Sequence, residues 1–296
     1  MLGIEKVDKS FGDKEVLRDL SFTVRPGELF GFCGANGAGK TTTMRIILGL
    51  LKADSGQVTW NGAPLDADIR GSIGYMPEER GLYPKMRPAE QLAYFAQLHG
   101  VPADEAKRSA DYWMERLGVS FEAKDTLEKL SLGNQQKVQM AAALVHDPKI
   151  LVLDEPFSGL DPVAVDSLLD ALTEKAKAGV PVIFSSHQLD LVERLCDSVG
   201  IISDGHMVAV GSVDSLREKE GRRQLVVTVA GAQPGWSQRL PNVLEVEEKG
   251  QTALLTPASP EASNEILRAA MALGQVERFA WKAPTLTEIF REAVAA

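Results

Sequence analysis

Gly34-Ala35-Asn36-Gly37-Ala38-Gly39-Lys40-Thr41 fills every fixed position of the glycine-rich phosphate-loop pattern. Its glycines let the backbone curl tightly and turn N–H groups toward a polyanion. Lys40 can reach the terminal phosphates of a nucleotide, and the Thr41 hydroxyl can ligate Mg²⁺. Asn36, Gly37, Ala38, Gly39 and Thr42 complete the expected cradle. The flanks agree. Leu29-Phe30-Gly31-Phe32-Cys33 predicts a buried strand before the loop. Thr42 to Leu51 predicts a helix after it, with its positive end facing the phosphates.

A second stretch completes a nucleotide hydrolase. Ile150-Leu151-Val152-Leu153-Asp154-Glu155 predicts an apolar strand ending in two carboxylates. Asp154 can hold the Mg²⁺ shell together with Thr41. Glu155 points elsewhere and can orient or deprotonate an attacking water. Alone, the same pattern suits a strand followed by a solvated acidic turn.

The rest of the chain sets bounds. At 296 residues it can bury one large domain and a small one. Net charge is −9, which argues against a nucleic-acid partner. Cys33 and Cys196 are isolated among apolar neighbours and read as reduced, buried thiols, with a redox role beside the loop as the alternative for Cys33. The first residues lack a signal peptide's apolar core, and no stretch approaches the ~20 apolar residues that span a bilayer. His99, His146 and His206 show no ligand spacing and read as surface or helix-end residues.

Strand-like and helix-like segments alternate over the first 220 or so residues, which predicts an α/β domain. Among the strands are Val180 to Phe184 and a hairpin across Asp204-Gly205-His206. Pro88 to Gly118 and Asn134 to Val145 predict helices. The charged run Glu218 to Arg223 marks a boundary, so the domains are 1–218 and 222–296. The second is a small α+β domain, whose last helix opens on a Thr285/Glu288 capping box.

The ordered motifs resemble the ATP-binding-cassette (ABC) family. Pro156-Phe157-Ser158-Gly159-Leu160-Asp161 resembles its D-loop, and Leu130-Ser131-Leu132-Gly133-Asn134-Gln135-Gln136 its signature motif. His187 falls at its switch histidine, and Phe11 where it stacks a ring on adenine. The resemblance covers about residues 2–215. It implies a P-loop NTPase of α/β class, an ABC-type nucleotide-binding domain with a helical subdomain at about 83–147. ATP and Mg²⁺ are the implied ligands, with Thr41, Asp154 and Glu78 on the metal.

It further implies that two such domains sandwich two ATPs head to tail, as a homodimer or pseudo-dimer. Ser131 and the Gly133 N–H would bind the γ-phosphate held by the other domain's loop. Asp161 would tie the two sites together, and His187 would sense the γ-phosphate. Glu155, His187 and Glu78 are the implied catalytic set. Phe11 after its turn suits a core position as well.

Two departures stand out. Tyr75-Met76-Pro77 is followed by Glu78 where the family usually has Gln. Glutamate can still ligate Mg²⁺, or it can overload the site with negative charge beside Glu155; both readings stand. The signature has Leu132 for the first Gly and Asn134 for Gln. Ser131 and Gly133 remain, which implies retained function with altered geometry. These features, with Pro284-Thr285-Leu286-Thr287-Glu288-Ile289-Phe290, resemble the ATPase subunits of sodium-extrusion-type bacterial ABC exporters.

That resemblance implies an ATP-hydrolysing exporter subunit, an ATPase peripheral to the cytoplasmic face of the cell membrane through a separate transmembrane permease. Tyr83 and Met86 would face the permease, or pack the insert's own core as Phe95 is expected to. The C-terminal domain, without clustered His or Cys, is expected to stabilise the dimer or regulate hydrolysis, with contact to the permease as the alternative. The rivals are a soluble ABC-type ATPase acting on nucleic acid or ribosomes, and an ATP-gated regulatory subunit. One cassette, no heptad run and the acidic balance oppose the first, and Glu155 opposes the second.

Overall fold

A computed structural model describes the backbone of residues 1–296 except 80, 121, 123, 124, 220–223 and 296. It divides into two units, Met1–Val213 and Asp214–Ala296. Part of the charged run read as a linker, residues 220–223, lies outside the described residues, as does Arg80.

The first unit runs β1 (Leu2–Phe11), β2 (Lys14–Val24), β3 (Leu29–Cys33), α1 (Lys40–Ile47), β4 (Ser55–Trp60), β5 (Ala63–Pro64), α2 (Ala67–Gly71) and β6 (Ile73–Met76). Then come α3 (Pro88–Leu98), α4 (Ala103–Arg116), α5 (Leu132–Leu144), β7 (Ile150–Leu153), α6 (Pro162–Lys177) and β8 (Val182–Ser186). It closes with α7 (Leu189–Leu195), β9 (Ser198–Ser203), β10 (His206–Ser212) and the start of α8 (Val213–Lys219).

Two sheets carry it. One has the order β2-β1-β4-β5 and is antiparallel throughout. The other has the order β10-β9-β3-β8-β7-β6, parallel from β9 to β6, with β10 antiparallel at its edge. The parallel strands β3, β7 and β8 are buried at every residue, which is why they read as unbroken apolar runs. Phe22 on β2 stacks on Phe30 and Phe32 of β3, each at 5.2 Å, and joins the sheets through one core.

Parallel order puts the C-terminal ends of β3, β7 and β8 side by side, where such sheets bind ligands. Strand β8 begins two residues after its predicted start. Gly179, in the left-handed region at φ 92°, ends α6, and the Val180 N–H bonds back to Lys175 O at 3.1 Å. Val180 therefore belongs to the helix terminus.

The second unit adds β11 (Gln224–Ala230), β12 (Val243–Lys249), β13 (Thr252–Pro257), α9 (Ser263–Leu273), β14 (Gln275–Lys282) and α10 (Leu286–Ala295). Its antiparallel sheet has the order β12-β13-β11-β14, a split βαβ arrangement in which a 3₁₀ turn, Trp236–Arg239, replaces the first helix. Trp236 and Ile266 pack with Leu225, Val227 and Leu255 in a core of its own. The capping box forms as expected: Thr285 N donates to Glu288 Oε2 at 2.8 Å, and Glu288 N donates to Thr285 Oγ1 at 3.2 Å.

Candidate functional site

The phosphate loop leaves β3 and enters α1 at Lys40, two residues earlier than predicted. Gly39 caps that helix at φ 115°, and a Cβ there would meet Leu17 Cδ2 at 2.5 Å. Gly34 is required for a different reason: its missing Cβ would lie 2.5 Å from Ile202 O. Lys40 is buried and folds over the loop, donating from Nζ to Gly34 O at 2.7 Å and Ala35 O at 3.2 Å. Among the described residues no carboxylate pairs with this ammonium, which stands ready for an anion.

The ends of β7 and β8 supply the opposite wall. Thr41 Oγ1 donates to Asp154 Oδ2 at 2.8 Å, while Ser185 Oγ bonds the other Asp154 oxygen. Ser185 Oγ also accepts from Glu155 N at 2.8 Å. One buried hydroxyl thus orients both acids. Glu155 sits in the left-handed region at φ 50°, a strained backbone for a side-chain-bearing residue. That twist turns its carboxylate away from Asp154's line, and Oε1 lies 3.0 Å from His187 Nδ1. His187 is half exposed, whereas Glu155 is nearly buried.

Together Asn36, Gly37, Gly39, Lys40, Thr41, Thr42, Glu78, Asp154 and Glu155 line one cleft of about 180 Å³. Glu78 also borders an adjoining groove with Arg45 and Tyr75. Besides Ala38 and His187, four residues read from the motifs lie outside the cleft lining. Phe11 is 52% exposed at the end of β1, with Lys9 Nζ 5.5 Å above its ring, so it is not a core residue. Ser131 is exposed and caps α5, accepting from Asn134 N at 3.3 Å. Gly133 is in the first turn of α5, with Leu160 beside it. Asp161 caps α6, accepting from Ala164 N at 2.9 Å.

The thiols carry no chemistry here. Burial pushes Cys33 up to about 12, and Cys196 well above its ordinary value, so neither supplies a thiolate near neutral pH.

The sequence profile of the ABC transporter family matches residues 17–158, and that of the C-terminal domain of DrrA1-3-like ATP-binding proteins matches residues 211–294. The chain is 39% identical over 296 residues to the uncharacterized ABC transporter ATP-binding protein YhaQ of Bacillus subtilis, covering 100% of this chain and 99% of YhaQ. The chain belongs to the ATP-binding subunits of ABC transporters.

The Nod factor export ATP-binding protein I of a Rhizobium species is 35% identical, over 96% of this chain and 93% of that protein. Among solved structures, an ATP-binding subunit of an ABC transporter superposes with a TM-score of 0.69 at 32% identity, covering 75% of this chain and 93% of that one. An ATP-binding subunit of this family is an ATPase that works with a membrane permease. Consistent with that division of labour, no helix among the described residues is long and apolar enough to cross a membrane.

In this family a metal generically accompanies the nucleotide. Among the described residues no three His, Cys, Asp or Glu side chains form a metal cage. The Thr41–Asp154 pair with Glu78 at the cleft wall offers hard oxygen donors only. Such a sparse set fits Mg²⁺, which is bound through one or two carboxylates plus substrate phosphates.

Several working residues escaped the sequence reading. Ser185 lay unnoticed inside the Phe184-Ser185-Ser186-His187 stretch. Gln91, Gln136 and Gln139 are buried amides, each bonded to a loop carbonyl. Phe95 is half-buried, packs beside Tyr94 of the insert at 5.9 Å, and lines a groove of about 250 Å³ with Ile73, Leu82, Leu98 and His99. Tyr83 lies 6.0 Å from Phe95 and 6.5 Å from Tyr94, and is 50% exposed. His99 and His146 do fall at helix ends, but they stack ring on ring at 3.7 Å.

Proposed function

We propose that the chain binds Mg·ATP in the P-loop cleft and hydrolyses it to power export through a separate permease. The arrangement of Glu155 carries this reading: a nearly buried carboxylate, backed by His187, at the wall facing Lys40. Lys40 and the loop N–H groups bind the β- and γ-phosphates. Glu155 orients a water and takes its proton as the water oxygen bonds to the γ-phosphorus. The bond to the bridging oxygen breaks, its electron pair leaves with ADP, and inorganic phosphate is released. His187 keeps the Glu155 carboxylate aimed by donating from Nδ1. Mg²⁺, held by Thr41, Asp154 and Glu78, would supply charge neutralisation at the phosphate oxygens.

The half-exposed His187 and the exposed Ser131, with Gly133 and Asp161, suit a second copy of the chain that closes over the bound nucleotide. Phe11, exposed and outside the core, suits stacking on the base. The groove between Phe95 and His99, with Tyr83 at its rim, suits a short permease helix; a subunit so docked would sit on the cytoplasmic face of the membrane. The name of the Nod factor export relative supports export. The net charge of −9 gives no footing for nucleic acid. The C-terminal unit, with no chemistry of its own, is assigned to dimer stability or regulation.

Replacing Glu155 by Gln keeps an acceptor for His187 and removes the base. Size-exclusion chromatography of that variant with saturating ATP should show a dimer, with phosphate release down about a thousandfold. A monomer under those conditions would exclude the sandwich.

A further inference from the structure

Gln136 and Gln139 lie three residues apart on α5 and so share a face. Both are buried, 7% and 2% exposed. Gln139 Nε2 donates to Pro77 O at 2.6 Å and to Glu79 O at 3.3 Å, gripping the backbone on both sides of Glu78. Gln136 Nε2 donates to Pro156 O at 3.0 Å, the carbonyl next in line after Glu155. One helix face therefore holds the two loops that carry the site's outlying carboxylates.

The same helix begins at Ser131. Its first turn is fastened as well. Asn134 Nδ2 donates to Ser120 O at 3.0 Å, and Asn134 Oδ1 accepts from Ser120 N at 3.4 Å. The asparagine that replaces the family's glutamine is thus spent inside the chain. From its N-cap through Gln139 the helix is one stiff rod, about 12 Å long. A buried amide that leaves its carbonyl gives up its partner away from bulk water, so the loops follow the helix rather than part from it.

We propose that Gln136 and Gln139 are positioning residues which make α5 a lever: a ligand engaging Ser131 shifts Glu155 and Glu78 of the same chain. This rests on the roles given above to Glu78 and Glu155. It adds a route within one chain from the signature end to the hydrolytic carboxylates, and it names the two side chains that form it.

The test uses the full chain with Gln136→Met and Gln139→Met, which keep volume and remove the amide. Gln97→Met is the control, since the Gln97 amide bonds Ala93 O of its own helix on an exposed face. Four quantities are read: turnover, ATP affinity by equilibrium binding, Mn²⁺ affinity of the ATP-loaded protein by electron paramagnetic resonance, and melting temperature. Either substitution should lower kcat about ten- to hundredfold, as small misplacements of reacting groups do, with ATP affinity within about twofold. Gln139→Met alone should weaken Mn²⁺ binding, because it frees Glu78; Gln136→Met should leave Mn²⁺ binding unchanged.

If either methionine variant fails to fold, Gln136→Asn and Gln139→Asn carry the test: the shortened amide should also lower kcat at constant ATP affinity. Folded variants with parental kcat overturn the lever. So does a parallel loss of kcat and ATP affinity, which would make the glutamines packing residues only. The nucleotide-site reading fails separately, if Lys40→Ala binds ATP normally or Glu155→Gln turns over at the parental rate.

Discussion

The P-loop cleft and the signature end of α5 are built on opposite plans. Near the cleft several polar side chains have partners within the chain: Lys40 on two carbonyls, Thr41 and Ser185 on Asp154, and His187 on Glu155. At the signature end the exposed side chains are apolar or turned inward. Leu132 is 63% exposed and nearby Val163, after the D-loop, is 79% exposed. Ser131 and Asp161 spend their oxygens on helix caps. The difference teaches that one edge is organised from within the chain, as the proposed nucleotide site requires, whereas the other leaves apolar side chains open, as the proposed pairing of two copies requires.

The comparison breaks most easily at the cleft. Lys40→Ala should weaken ATP binding at least about a hundredfold, because two charge-assisted contacts to phosphate vanish; equilibrium dialysis with labelled ATP reads it. Unchanged affinity would mean that the cleft is not the nucleotide site. Next is Leu132→Asp, which places a negative charge where the opposing nucleotide is to approach. ATP-dependent association, measured by analytical ultracentrifugation in the Glu155→Gln background, should fall about fiftyfold, with nucleotide affinity of the monomer intact. Loss of both would merge the two regions into one.

Acid stability belongs to neither edge and fixes the pH at which they are best compared. Burial, and then the neighbouring His99, hold His146 down at about 4, against an ordinary 6.5. The unfolded chain therefore binds the extra proton between those values. Stability from this group is complete above pH 6.5 and is lost as pH falls toward 4. Unfolding free energies from urea melts should drop by about 2–3 kcal/mol more in the parent than in His146→Phe across that window. Equal slopes would refute it. The smallest effect is expected for Glu78→Gln, which keeps an oxygen donor at the cleft wall. Turnover should stay within about fivefold, with a higher Mg²⁺ requirement. Complete loss would show that the charge itself is needed.

Much of the cleft was legible because its chemistry is local in sequence. A loop between strand and helix announces itself through glycines, Lys40 and Thr41. The run Ile150 to Glu155 announces a buried strand and its acids. Ser185 and the buried glutamines were not legible, since a serine or glutamine on a helix or strand carries no sign of which carbonyl it will meet. Gln139 reaches Pro77 across 62 residues of chain. The same holds for the His99–His146 stack, made by two helix ends that only the tertiary fold brings together. Strand β8 was displaced by two residues because Gly179 hands Val180 to the preceding helix. The C-terminal unit yielded its strands and its capping box, while its split βαβ order depends on pairings that alternation alone does not encode.

The left-handed backbone at Glu155 sets two kinds of selection against each other. Any side chain there carries about 1–2 kcal/mol that glycine would not. A screen that rewards thermal tolerance alone would therefore drift toward glycine at 155 and recover hardier proteins that no longer turn over. Directed evolution of this scaffold needs a growth or transport readout from its first round.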